Sequence, residues 1–208
     1  MVEFAATSFL AFIVIMDPIG LVPVFLAVTA DYTERERRVI ARRAAIAAVV
    51  ILTLFGLFGG PLLDYLGISL DALRIAGGLL LFKLAWDMVV GQRTRATSEE
   101  KEDAADREDV AVFPLALPLL VGPGAMTTML VLLGEAGRRP TYVAIVFGSA
   151  TVVLILDWLT LRVASRINNR LGRTGINVAT RILGIILTAL SVQLVADGAL
   201  NLLRASGV

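Results

Sequence analysis

The chain of 208 residues is 57% hydrophobic, and its mean hydropathy of +0.82 exceeds that of soluble domains. It lacks cysteine and histidine, which excludes disulfides, thiolate or imidazole metal ligands, and enzyme mechanisms built on either residue. The hydropathy predicts a membrane protein, and the missing residue types favour one that is not an enzyme and needs no cofactor or metal. Because the formal net charge is only +1, we expect no binding to nucleic acid.

Six stretches are long enough to cross about 30 Å of hydrocarbon. They run over residues 4 to 29, 43 to 66, 72 to 91, 112 to 134, 141 to 163 and 178 to 203. The predicted fold is therefore all-α, a polytopic protein with six transmembrane helices. Because Glu3 stands where a signal peptide carries basic residues, we expect the first stretch to be a retained helix.

Proline and glycine interrupt the first and fourth stretches near their midpoints, at Asp17-Pro18-Ile19-Gly20 and at Gly122-Pro123-Gly124. A proline removes one backbone donor, so Pro18 leaves the carbonyl of Val14 without its helical partner. Unpaired main-chain groups inside a membrane are tolerated where they line a cavity. The pattern predicts that helices 1 and 4 are discontinuous and that their breaks surround a site.

The two breaks differ in chemistry. We expect the second half of each helix to begin at the break, with Asp17 or Gly122 as its N-cap. Asp17 can accept hydrogen bonds from its own half-helix, whereas Gly122 leaves the N–H groups of Gly124, Ala125 and Met126 open to an anion. This predicts a zwitterion site, with a ligand carboxylate at the helix 4 break and its ammonium near Asp17. Alternatively, Asp17 only caps its helix.

The predicted substrate-binding residues surround these breaks. The glycines should leave room for a small ligand, and the threonines either contact it or bond back to their own helix. The glutamine either joins two helices or contacts substrate. The set is Asp17, Pro18, Gly20, Gly122, Pro123, Gly124, Thr127, Thr128 and Gln193.

Charged side chains within a span cost about 2.5 to 3.5 kcal/mol and are functional candidates. The candidates for coupling to H⁺ or Na⁺ are Asp17, Asp87 and Asp157. Lys83 and Asp87 are four residues apart and are expected to neutralise one another. Asp157 is either a coupling carboxylate or the packing partner of an arginine. Arg74 and Arg181 begin helices, where an anchoring role is expected.

Basic residues predict the orientation. The connections after stretches one, three and five carry five, four and four Lys or Arg residues, whereas the opposite side has Arg138, Arg139 and Arg204. The positive-inside rule then places both termini outside the cytoplasmic (inner) membrane.

The chain divides into two similar halves, residues 1–92 and 111–208, joined by a charged cytoplasmic linker over 93–110. Arg74-Ile75-Ala76-Gly77 and Arg181-Ile182-Leu183-Gly184 occupy equivalent places, as do the two breaks. Because each half has three spans, the second must insert upside down relative to the first. This predicts the inverted repeat of secondary transporters.

Several of these motifs together resemble the MarC family of bacterial and archaeal membrane proteins over nearly the whole chain. They are the segments 17–25, 74–78, 114–124, 181–184 and 192–194. The resemblance implies six spans, and members are usually described as candidate transporters of small neutral amino acids such as glycine and alanine. Many relatives have Asn-Pro-Ile-Gly-Asn in the first motif, where this chain has Asp17 and Leu21.

We therefore predict a secondary transporter of small neutral amino acids that works by alternating access in a lipid membrane. The alternatives are a non-transporting scaffold or lipid-binding protein, and an exporter of another small metabolite. A transporter predicts a polar cavity that reaches both breaks, whereas a scaffold predicts packed breaks. Glycines in helices two, three and six can serve contacts within one chain or in a homo-oligomer.

Overall fold

The computed structural model describes residues 1–90 and 110–205, and within them the chain is helical and has no strand. The predicted linker lies outside the described residues except for Val110. The elements are α1 (Val2–Met16), α2 (Leu21–Val28), α3 (Glu34–Leu66), α4 (Leu70–Val90), α5 (Ala111–Leu120), α6 (Pro123–Ala136), α7 (Pro140–Arg162) and α8 (Ala164–Ala205). α5 is interrupted at Phe113 and Leu117, where the backbone is extended, and α8 is kinked at Gly172, where φ is 63°.

Three helices are long and apolar enough to cross a membrane: α3, α7 and the part of α8 from Thr174 onward. The pairs α1 with α2 and α5 with α6 are bent by 42° and 55°, and they raise the number of spans to five if each pair counts as one. The fold is thus an all-helical membrane protein with two broken segments. The predicted sixth span, α4, is not among them because Asp71, Arg74, Lys83 and Asp87 interrupt its apolar sequence.

The start of α3 is fixed by a capping box. The Thr33 hydroxyl accepts from the Glu36 N–H at 3.4 Å, and a Glu36 carboxylate oxygen accepts from the Thr33 N–H at 2.8 Å. These bonds from the backbone and hydroxyl of Thr33 lower the pKa of Glu36. The box satisfies donors that a helix cannot satisfy itself, so α3 begins ahead of its apolar part.

α1 and α7 lie side by side and run in the same direction. The rings of Phe4 and Tyr142 are 5.0 Å apart at one end, and Asp17 is within electrostatic range of Asp157 at the other. α3 packs against α7 in the opposite direction and against α5 and α6. Fully buried alanines at 41, 44 and 48 allow close helix approach along α3.

α4 packs along the second half of α8, in the opposite direction. At one end the Asn201 amide donates to Asp71 Oδ1 at 3.1 Å, and at the other Gly184 lies under Met88. A Cβ at Gly78 would lie 2.9 Å from the Ser191 carbonyl oxygen. Small residues therefore set the spacing of this pair.

Polar side chains join the helices at both ends of the bundle. In the Arg74 network, Arg74 binds Asp71 at 3.0 Å and Glu135 of α6 at 3.3 Å, and Asn201 binds Asp71. Arg74 thus forms one ion pair within α4 and one with α6.

The Arg37 network lies at the other end. Arg37 donates to the carbonyls of Thr29 and Ala30 at 2.9 and 3.1 Å. Glu34, which pairs with Arg37, accepts a hydrogen bond from Ser165 of α8.

Candidate site at the two helix breaks

The first break follows from the backbone of Asp17, which has φ 46° and ψ 68° in the left-handed region. The prediction that Asp17 is the N-cap of α2 is wrong. Asp17 is the C-cap of α1, and its N–H donates to the Ile13 carbonyl at 3.2 Å. Because the chain leaves the helix at this residue, α2 begins one turn later with Gly20 as its N-cap. The carboxylate still accepts the Gly20 N–H at 3.0 Å.

The second break begins α6, with Gly122 as its N-cap and Pro123 at the first helical position, as predicted. Met126 is not open to a ligand, since its N–H donates to the Gly122 carbonyl at 3.1 Å. The helix has no acceptor for the N–H groups of Gly124 and Ala125, because these precede its first intrahelical bond. The positive end of α6 therefore presents two donors at the break.

The fold brings the two breaks together. Gly124 faces Ile15 of α1, and a Cβ at Gly124 would lie 3.2 Å from Ile15 Cγ2. The same Cβ would collide with Leu81 of α4, which is 1% exposed. The expectation that Gly124 leaves room for a ligand is therefore wrong for this conformation, because Leu81 fills that space.

Among the grooves between the described helices, two are apolar and lie away from the breaks. One of about 370 Å³ runs between α3 and α7 and includes Arg42 and Trp158. The other, of about 360 Å³, runs between α4 and α8 and includes Phe82 and Val195.

Thr127 and Thr128 lie one turn into α6 and are 3% and 5% exposed. The Thr127 side chain packs directly on Gly77 of α4, within the Arg-Ile-Ala-Gly motif. Thr29 and Thr151 bond back to the carbonyl four residues earlier, but neither α6 threonine forms a hydrogen bond with another described residue. The Thr127 hydroxyl lies against Gly77.

Asp157 joins this site from α7. It is fully buried, and neither carboxylate oxygen has a hydrogen-bond partner in the described part of the chain. No described arginine forms an ion pair with it. Its neighbour in the electrostatic sense is Asp17. The sequence predicts that Asp157 lies within a span. It does not predict that Asp17 is a neighbour, because the two residues are 140 positions apart.

The remaining candidates lie elsewhere. Gln193 is exposed on α8 and donates to Asp197 at 2.7 Å, so it points away from the helix interior. Lys83 is exposed, Asp87 is half-buried, and the two form no ion pair in the described structure. An ion pair between residues four apart in a helix is weaker when the lysine precedes the acid, as Lys83 precedes Asp87. Arg181 is exposed. The described residues include no group of three acids that could hold a metal ion.

Comparison with known proteins identifies the family. The model of the MarC family integral membrane proteins matches residues 2–203. A UPF0056 membrane protein of Aquifex aeolicus is 43% identical, over 95% of this chain and 92% of its own length. One of Archaeoglobus fulgidus is 40% identical, over 94% and 92%. The UPF0056 membrane protein YvbG of Bacillus subtilis is 33% identical, over 95% of each.

No solved structure matches the chain. The family match and these relatives cover nearly the whole sequence, including both helix breaks. The chain therefore belongs to the MarC family of integral membrane proteins.

Proposed function

We propose that this protein is a secondary transporter of small neutral amino acids, of the glycine and alanine class, that works by alternating access. The observation that carries the proposal is the meeting of two interrupted helices with opposite polarity at Ile15 and Gly124. α1 ends there with Asp17 and the negative end of its dipole, and α6 begins there with two N–H groups in need of an acceptor. The end of α1 suits a ligand ammonium group, and the start of α6 suits a ligand carboxylate.

The packing of the helices supports two inverted three-helix repeats. In that arrangement α1 and α2 correspond to α5 and α6, α3 to α7, and α4 to α8. The contact of α1 with α7 is then matched by that of α5 and α6 with α3. The contact of α4 with α6 is matched by that of α8 with α2. α4 would be the sixth span, since it packs along α8 over its length.

The distribution of charge supports an orientation with both termini outside the cytoplasmic membrane. The α2–α3 connection and the first turns of α3, which contain five arginines, then lie in the cytoplasm. The Arg37 network would close the cytoplasmic end and the Arg74 network the opposite end.

Alternating access requires a ligand space that opens to one side at a time. In this conformation Leu81 and Ile15 cover the first turn of α6, and both end networks are formed. These contacts suit a closed state without substrate. Transport would then require Leu81 to withdraw and one end network to separate.

A non-transporting, lipid-binding protein is the competing function. Two observations favour it: Leu81 packs on the break, and the apolar groove between α3 and α7 has Arg42 and Trp158 beside it. An acyl chain could occupy that groove with an anionic headgroup at Arg42. Transport assays separate the two functions, because this one predicts no flux.

The test is uptake and efflux of labelled glycine, alanine and serine in proteoliposomes, with and without Na⁺ and pH gradients. We expect saturable flux that Asp17→Asn reduces, because asparagine tolerates the left-handed backbone and keeps the acceptor for Gly20 but removes the charge. Asp197→Asn is the matched control, because Asp197 is exposed on α8. Absence of flux under every condition would overturn the proposal.

A further inference from the structure

The groove between α3 and α7 changes from apolar to cationic along its length. Its volume is about 370 Å³. Buried Leu154 lines it together with exposed Ile46 and Ile155, and Arg42 lines it at one end. Because α3 and α7 run in opposite directions, Trp158 of α7 lies at the same end as Arg42. A ligand that fills this groove must combine a long apolar part with an anionic group at its end.

The cationic end extends beyond the groove along one face of α3. Arg35, Arg38 and Arg42 follow one another at spacings of three and four residues, and all three are exposed. Residues at these spacings share a helix face. Ile46, four residues after Arg42, continues the same face into the groove. The change from arginine to apolar side chains coincides with the start of the second apolar stretch, at residue 43.

α7 forms the opposite wall with the same change of character. Ile155 and Trp158 line the groove, and Arg162 lies one turn further on. The guanidinium carbon of Arg162 is 5.5 Å from the centre of the Trp158 ring. Tryptophan is enriched at the boundary between hydrocarbon and headgroups, and arginine side chains near helix ends extend to the headgroups. Both walls therefore suit a ligand that crosses this boundary.

A phospholipid has this combination of parts. The groove opens to the outer surface of the helices, which in an integral membrane protein faces lipid. A guanidinium group can donate two parallel hydrogen bonds to a phosphate. Basic residues at the membrane surface also favour anionic lipids over neutral ones. The charge of the groove thus adds a headgroup preference to its apolar shape.

The groove between α4 and α8 provides a comparison within the same protein. Its volume of about 360 Å³ is similar, but its lining residues in the described helices carry no charge. Apolar shape alone would suit any acyl chain equally. A headgroup preference is therefore expected at the groove between α3 and α7 and not at this one.

We propose that the groove between α3 and α7 binds one anionic phospholipid. One acyl chain lies along Ala45, Val49 and Leu154. The phosphate accepts hydrogen bonds from Arg42, and Arg38, one turn away, adds positive charge. The site lies away from the two helix breaks, so it is independent of amino acid transport and serves to hold α3 against α7 whether or not the protein is a transporter.

Trp158 provides a direct reporter of the occupant. Trp86→Phe removes the other tryptophan of the chain, which is exposed on α4. The full chain with this change is placed in vesicles of phosphatidylcholine and phosphatidylglycerol, with bromine on the acyl chains of one lipid or the other. Quenching of Trp158 fluorescence then measures which lipid lies against it. We expect phosphatidylglycerol to be preferred about fivefold, the effect of one arginine near an anionic headgroup.

Arg42→Gln and Arg43→Gln separate a built site from general attraction to the arginine-rich end. The two variants lose the same charge, and both positions are exposed, so folding should be preserved. Arg43 is turned by about 100° around α3 relative to Arg42 and does not line the groove. We expect Arg42→Gln to abolish most of the preference and Arg43→Gln to keep it. Equal preferences in the two variants, or no preference in the Trp86→Phe protein, would overturn the lipid site.

Ala45→Leu tests the apolar part of the site. Leucine would fill space that the acyl chain occupies, while Arg42 is retained. We expect the preference for phosphatidylglycerol to fall in this variant. Ala196→Leu, which fills the groove between α4 and α8, is the control and should leave the preference unchanged. The same preference in both variants would show that no acyl chain lies along Ala45 and would contradict the proposal.

Discussion

Leu81 of α4 packs directly on Gly124 in the first turn of α6, so that no Cβ fits between them. The contact joins the helix that carries the Arg74 network to the break where two N–H groups have no acceptor within α6. Under the proposed function, a ligand would reach those donors only when Leu81 moves. The stability of this conformation and the proposed access to the site would then depend on the same pair of residues.

Gly124→Ala is expected to destabilise the protein by about 1–3 kcal/mol, the usual cost of overpacking a well-packed interior. The added methyl group would collide with Leu81 and crowd Ile15. The midpoint of thermal unfolding in detergent checks the result. Combining the change with Leu81→Ala should give a smaller loss than the sum of the two single losses, since the second change removes the obstructing side chain.

Gly148→Ala is the matched control for this prediction. Gly148 lies within α7, and a Cβ built there meets nothing within 4 Å. Alanine has the higher helix propensity, so this change should leave stability equal or slightly raised. Equal destabilisation by both alanines would contradict the packing explanation.

The breaks could be predicted from the sequence because proline and glycine act on their own backbone. Pro18 and Pro123 lack a donor wherever they stand, so discontinuous helices follow from local chemistry. The backbone conformation of Asp17 could not be predicted from local chemistry in the same way. Its left-handed backbone makes it the cap of the preceding helix, a choice that depends on how α2 packs afterwards.

The partners of charged and polar side chains were harder to predict, because they come from distant parts of the chain. Asp157 and Asp17 meet only through the packing of α7 on α1. Gln193 lies in an apolar segment, but the rotation of α8 turns it outward to Asp197. Sequence shows that such a residue is inside a span, while helix rotation decides whether it faces the interior.

The capping box predicts a pH dependence for the start of α3. The hydrogen bonds from Thr33 lower the pKa of Glu36 below its ordinary value of 4.5. A carboxyl group with a lowered folded-state pKa contributes stability above the unfolded value, and this is lost as pH falls through the folded value. The unfolding midpoint should therefore fall on acidification below 4.5, and less so in Glu36→Gln.

Glu36→Gln is informative because glutamine preserves the box without titrating. Thr33→Ala removes the cap and should cost about 0.5–2 kcal/mol at neutral pH. An identical acid response in Glu36→Gln and the wild type would assign the pH dependence to other groups.

Glu135→Gln removes the ion pair with Arg74 and is expected to weaken the contact between α4 and α6 at this end of the bundle. Because the pair is partly exposed, the free energy of unfolding should change by less than about 1 kcal/mol. The absence of native cysteine allows a single reporter at Val131→Cys. This position is 6% exposed and one turn from Thr127, on the same face of α6. Faster labelling by a polar thiol reagent in Glu135→Gln than in Glu3→Gln would show that the network restricts access. Equal rates would exclude a gating role.

Thr127→Val and Thr127→Ser separate packing from hydrogen bonding in α6. Valine has nearly the shape of threonine and should keep the contact with Gly77, but it removes a hydroxyl that has no partner among the described residues. Serine keeps the hydroxyl and removes a methyl group. If the hydroxyl binds ligand, Thr127→Val should raise the half-saturating amino acid concentration about tenfold, the effect of losing about 1.4 kcal/mol. Thr127→Ser should then transport better than Thr127→Val even if it unfolds at a lower temperature. The opposite order of flux, following the order of stability, would assign Thr127 to packing alone.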